Sequence, residues 1–158
     1  TMGMQPIVGY NFGAQKIDRV KQTLKLGIVS GVVITSSGFF ICELFPHAVS
    51  AIFTDSDHLI DLAVDGLRIT VIMFPFVGAQ IVIGNFFQSI GKAKISIFLS
   101  LTRQLLYLLR CLLLFPNWWG LKGIWISMPV SDALAFITAV ISLIIYIKKV
   151  SKQHPIAE

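Results

Sequence analysis

Residues 69–91 run for twenty-three positions without a charged side chain. About 20 consecutive apolar residues in a helix cross a hydrocarbon core of ~30 Å. Inside that core each backbone N–H and C=O must be satisfied within the protein, and a helix does this with its own chain. Residues 26–42 form another uncharged run of seventeen, and residues 123–147 one of twenty-five broken only by Asp132. Residues 95–115 are equally apolar but carry Arg103 and Arg110, and each such charge costs about 3 kcal/mol at the centre of an inserted helix. The pattern predicts four spans, at 26–45, 69–91, 95–115 and 123–147. Residues 2–14 read as the end of a further helix, so the chain looks truncated at its start. Composition points the same way. The chain is 55% hydrophobic and 13% charged, against about 25% charged in soluble domains. The expected fold class is an all-α membrane protein, a polytopic transmembrane helix bundle.

The connectors set an orientation. Lys16, Arg19, Lys21 and Lys25 precede the first span with one acid, Asp18. Lys92 and Lys94 separate the second span from the third, and Lys148, Lys149 and Lys152 follow the fourth. The alternate connectors hold Asp55, Asp57, Asp61 and Asp65 without a base, and then Trp118, Trp119 and the single Lys122. Short loops rich in Lys and Arg stay cytoplasmic, and Trp marks the interface. The basic connectors and the C-terminus are therefore expected in the cytoplasm. Removing the third span would put the C-terminal lysines outside, so alternation requires it despite its arginines. The net charge of +5 is read as topology and not as a sign of nucleic acid.

No soluble-enzyme motif is present: no CxxC, no HExxH, no P-loop and no GxGxxG after a strand. His47, His58 and His154 are scattered. No enzyme activity, cofactor or metal is expected. Cys42 and Cys111 lie in apolar runs and are expected as buried thiols. Pro46 should close the first helix. Pro75 and Pro129 fall inside the second and fourth, where they either pack or kink the helix. Gly27, Gly31, Gly38, Gly78 and Gly84 permit close helix approach.

Ionisable groups within a span are functional candidates by default. Arg103, Arg110 and Asp132 are the three here. At 1.5 Å per residue, Arg110 and Asp132 both lie about 22 Å from the cytoplasmic end and could neutralise each other, with Arg103 about 12 Å from it. Seven residues separate Arg103 from Arg110, which predicts one shared helical face. Gln80, Asn85 and Gln88 on the second span and Gln104 beside Arg103 either line a wet cavity or cross-link helices. Arg103 serves a substrate path or gate, or pairs structurally. Asp132 carries a coupling proton or acts as a counter-ion.

A resemblance extends along the chain. Gln5-Pro6-Ile7-Val8-Gly9-Tyr10-Asn11-Phe12-Gly13-Ala14 resembles the QPI-x-GYN-x-GA motif of the multidrug and toxic compound extrusion (MATE) transporters, found at the cytoplasmic end of their eighth helix. Residues 19–25 are similar to the basic amphipathic linker that follows. Residues 44–46 and 52–54 resemble the outer end of the ninth helix. Residues 63–68, 74–75 and 85–94 resemble the tenth, 100–104 the eleventh, and 120–125 with 129–132 the twelfth. The branch most resembled is the MepA/DinF-like bacterial one.

The resemblance implies a C-terminal lobe fragment of a twelve-helix antiporter in the bacterial cytoplasmic membrane. Its partners would be the lipid bilayer, the missing N-terminal lobe and organic, often cationic, drugs exported against Na⁺ or H⁺. NorM-like members carry an acid in the middle of the tenth helix. Residues 69–91 contain none, so that cation site is absent or incomplete and the coupling ion is unassigned. The alternative is a flippase of related fold for lipids or polysaccharide precursors, with Arg103 and Arg110 suited to an anionic headgroup.

Overall fold

The computed structural model describes residues 3–153; Met2, the side chain of Lys152 and His154 lie outside the described part. Its regular structure is helical throughout, as the uncharged runs predict. The elements are α1 (Met4–Gly13), α2 (Ile17–Leu44), α3 (Pro46–Ala51), α4 (Asp57–Val71), α5 (Phe74–Ser89), α6 (Ala93–Leu101), a π-helical segment (Thr102–Leu108) and α7 (Leu109–Gln153).

Helix α2 has 28 residues, a length of about 42 Å. It buries Val20 and Leu24 near its start. Beyond them Leu26, Val29, Val33, Ile34, Phe40 and Ile41 are exposed, a face suited to lipid. The basic stretch 15–25 is not an open connector. No Gly or Pro interrupts it after Gln15, and it is helical from Ile17 onward. The turn from α1 is short and is closed by Gln15 at φ 57, with Lys16 N–H on the Asn11 carbonyl at 2.9 Å and Gln15 N–H on the Phe12 carbonyl at 3.1 Å. This pair of bonds is the Schellman closure, which favours glycine at the left-handed position. The turn after α5 repeats it with Gly91 at φ 75. A side chain in the left-handed region costs about 1–2 kcal/mol. Gln15→Gly is therefore expected to raise the unfolding free energy by roughly 1 kcal/mol, read as a higher melting temperature in detergent; a lower one would contradict this account of the turn.

Residues 69–91 do not form one straight span. Helix α4 stops at Val71, α5 starts at Phe74, and the two axes differ by 51°. Pro75 lies in the first turn of α5. Its missing N–H is harmless there, but its ring excludes a preceding helical turn. The break therefore falls at Ile72 and Met73. Neither α4 nor α5 is long enough alone, and the bent pair together has the length and apolar composition of one broken span.

Residues 93–150 form a nearly continuous apolar helical run of 58 residues, about 87 Å long and far beyond a ~30 Å core. Gly120, at φ 54 and ψ −135, reverses the chain within it. The two arms lie antiparallel. The Tyr107 and Thr138 hydroxyls meet across them at 2.9 Å, and the backbone of Gly123 rests on the Phe115 carbonyl so closely that a Cβ would overlap it. The long run thus makes two passes. With α2 and the bent α4–α5 pair, the described residues pass four times.

The core centres on α5. Val82, Ile83, Phe86, Phe87 and Ile90 are buried against Met4 and Val8 of α1, Val20 and Leu24 of α2, Leu99 of α6, and Ala139 and Leu143 of α7. Phe76 on α5 also stacks on Phe136 of α7, with ring centroids 5.2 Å apart. Helix α5 thus packs against α1, α2, α6 and α7 and positions these four, while α3 and α4 rest on α2, α7 and each other.

Candidate functional site

A cleft of about 200 Å³ opens between α5 and α6, lined by polar side chains together with Ile81 and Leu99. Gln80, Gly84 and Asn85 line one wall, and Ser96, Ser100 and Arg103 the other. Gln80 is 8% exposed, and its Oε1 accepts no hydrogen bond. A buried carboxamide oxygen without a donor costs about 1–3 kcal/mol. Hydroxyls elsewhere in the bundle bond back to their own helix, as Ser37, Ser89, Ser127 and Ser142 do four residues back at 2.7–2.8 Å. Ser96 and Ser100 make no such bond among the described residues, nor does the Asn85 carboxamide. The cleft walls therefore hold amide and hydroxyl groups free to bind something else.

Arg103 closes one end. Its Nε–H donates to Asp132 Oδ1 at 2.8 Å, with Asp132 9% exposed. The ion pair is thus Arg103–Asp132 and not the Arg110–Asp132 pair that depth suggests. Two causes are visible. Register is set by the tight fold-back at Gly120, where Phe115 faces Gly123, which leaves both arginines within about one turn of the depth of Asp132. The face then decides. The π-helical segment Thr102–Leu108 lies between the arginines, and its i→i+5 bonding adds residues to each turn. Seven residues no longer return to one face, so Arg103 is half-buried against α7 while Arg110 is exposed.

The remaining expected residues lie apart from the cleft. Gln104 is exposed, and Asp132 reaches the cleft only through Arg103. Gln88 accepts a long hydrogen bond, 3.4 Å, from Gln5 Nε2. This contact belongs to α1, which Val8 and Gly9 also hold on α5. Val8 is fully buried, and Gly9 lies where a Cβ would be 3.3 Å from the Ser89 carbonyl. Asn11 Nδ2 donates to the Ile7 carbonyl at 2.8 Å. Pro6 and Tyr10 point outward, and Gly13 and Ala14 end the helix. Ser96 and Ser100 are not singled out by the sequence reading. Their spacing to Arg103, seven and then three residues, is a one-face pattern on a helix and is the available signal. Cys111 is buried and Cys42 only half-buried; both are free thiols.

The comparisons bear on the same lobe. The family model MatE matches residues 1–113. A solved chain described as protein A is 38% identical with a TM-score of 0.83, over 89% of this chain and 31% of its own. Inward-facing and outward-facing conformations of a multidrug resistance MATE family transporter of the MOP superfamily are 19% and 20% identical, each with a TM-score of 0.88 over 94% of this chain and 35% and 34% of their own. The Vibrio cholerae MATE transporter VcmN in the bent form is 18% identical with a TM-score of 0.86 over 95% of this chain and 34% of its own. A comparison with curated protein sequences finds no match. The chain spans about a third of the length of the solved structures it matches. With a family match over most of its length and a four-pass helical lobe of the same fold, this chain belongs to the MatE family of membrane transporters.

Proposed function

We propose that the chain forms one wall of a secondary multidrug exporter, which carries organic, often cationic, compounds out across the bacterial cytoplasmic membrane in exchange for Na⁺ or H⁺. Residues 4–13 correspond in this reading to the end of the eighth helix and residues 93–153 to the last two, with the C-terminus cytoplasmic. The observation that carries it is the polar cleft inside an otherwise apolar lobe, where Gln80 Oε1 is buried without a donor. An unsatisfied acceptor in a membrane protein is a place for a polar ligand or water. The lobe fits the inward-facing and outward-facing neighbours equally well, which supports a unit carried between two cavity states. Ion binding favours one state and drug binding the other, so the gradient drives export.

The flippase alternative is less favoured by the geometry. Arg103 is neutralised by Asp132 and Arg110 is exposed outside the cleft, so no paired cationic site faces an anionic headgroup there. The deciding experiment is ethidium efflux from loaded, pump-deficient bacteria expressing the full-length protein, with Na⁺ present or absent and the proton gradient intact or collapsed. Efflux that stops on removal of one ion gradient identifies an antiporter and its ion. Gln80→Leu and Asn85→Leu should each slow efflux several-fold with unchanged membrane abundance. Wild-type cells that show no efflux of ethidium or other organic cations would overturn the exporter reading.

A further inference from the structure

A second cavity, of about 860 Å³, lies where the α1–α2 turn, the α5–α6 turn and the last turns of α7 meet. This volume is within the range of ligand pockets. Lys92 and Lys149 both line it, on antiparallel elements that bring them to one end of the bundle. Neither lysine makes an ion pair or a hydrogen bond through its side chain among the described residues, and no acidic residue lines the cavity. The apolar lining begins inward of the lysines. On α6, Ile95 and Phe98 follow Lys92 by three and six residues, about 4.5 and 9 Å along the axis. On α7, Tyr146 and Ile145 precede Lys149 by three and four residues. The cavity is therefore cationic at the rim and mainly apolar in depth, where Ser142 bonds back to its own helix, within a chain that passes repeatedly through a bilayer.

We propose that this cavity holds the headgroup phosphate of an anionic phospholipid between Lys92 and Lys149, with its chains lying along Phe98 and Ile145. Two ammonium groups without a counter-ion among the described residues match one phosphodiester, and the apolar wall below them matches acyl chains. Basic pockets between membrane helices bind such headgroups on the cytoplasmic side, each lysine contributing about a fivefold preference. The turns that close α1 and α5 border the cavity, and Lys149 comes to it from α7. Gly91, in the left-handed conformation, places Lys92 at the start of α6, and Gln15 closes the neighbouring turn in the same way. The site is separate from the transport cleft, so it stands or falls independently of the exported substrate.

The test is native mass spectrometry of the full-length protein in neutral detergent, titrated with phosphatidylglycerol or with phosphatidylcholine of the same chains. Wild-type protein is expected to retain phosphatidylglycerol preferentially. K92Q and K149Q should each lower that preference about fivefold and the double variant roughly twenty-fivefold, whereas K122Q at the opposite end leaves it unchanged. If the double variant does not elute as a monodisperse species, the two single variants decide. An equal loss of bound phosphatidylglycerol on adding inorganic phosphate or glycerol phosphate would show a site for soluble phosphate and overturn the lipid assignment. The absence of any preference in the wild type, as when another part of the protein covers the cavity, would overturn it as well. So would a preference that survives K92Q/K149Q.

Discussion

Asp132→Ala is expected to destabilise the lobe by about 3 kcal/mol. Asp132 is 9% exposed, and its carboxylate holds the Nε–H of Arg103 at 2.8 Å. Removing it leaves a half-buried guanidinium with no counter-charge, and breaking a fully buried pair in this way typically costs about 3–5 kcal/mol. The lower end applies because the Arg103 side chain is 36% exposed. Asp132→Asn keeps the shape and one acceptor but not the charge, so it should lie between the wild type and Asp132→Ala. Arg103→Met combined with Asp132→Leu replaces the pair with apolar volume and should recover most of the loss, as exchanges of buried pairs for packed apolar groups often do. Unfolding by SDS titration in mixed micelles, run as a double-mutant cycle, reads this directly. An Asp132→Ala protein within about 0.5 kcal/mol of the wild type would mean that the ion pair contributes only as a surface pair does.

The identity of that partner shows where sequence reading stops. Uncharged runs mark helical segments, because a helix satisfies its own backbone in lipid; the run with Arg103 and Arg110 needs the alternation of the connectors as well. The sequence also picks out the polar positions on α5, since Gln80 and Asn85 stand out in an apolar helix. It does not fix the face of Arg103, because face prediction takes a helix to turn every 3.6 residues and the segment Thr102–Leu108 is π-helical. No composition marks that winding. The fold-back at Gly120 is similarly hidden. A lone glycine between Trp119 and Leu121 reads as a connector, but its left-handed backbone fixes the register of two passes at once. The bend between α4 and α5 is half legible. Pro75 announces an interruption, yet the break falls before it, at Ile72 and Met73, because proline is tolerated in the first turn that follows. The cleft needs the packed bundle to be seen. Gln80 and Ser96 come from separate helices joined by the turn at Gly91, and only their packing shows that these side chains have no other partner among the described residues.

Gly78→Val is expected to cost roughly 3 kcal/mol, the upper part of the range for overpacking a tight contact. Helices α2 and α5 cross at Gly31 and Gly78. A Cβ on Gly31 would lie 3.0 Å from the Gly78 carbonyl, and a Cβ on Gly78 would overlap the Gly31 carbonyl and the Thr35 hydroxyl. These obstacles are largely backbone, and Thr35 is itself fixed by its bond to the Gly31 carbonyl at 2.9 Å. The helices must separate to admit a side chain, and the buried residues of α5 that hold the core move with them. Gly84 on the same helix is the internal control. A Cβ there meets nothing within 4 Å, so Gly84→Ala should hold or raise stability, alanine being favoured over glycine in a helix by about 1 kcal/mol. Gly84 nevertheless lines the polar cleft, and the added methyl narrows it. The two substitutions should therefore separate folding from transport. Gly78→Val lowers the unfolding midpoint and, with it, the amount of protein in the membrane. Gly84→Ala keeps both but slows efflux per molecule. Equal efflux per molecule in Gly84→Ala and wild type would place the substrate path away from this cleft, whatever the stability of the lobe.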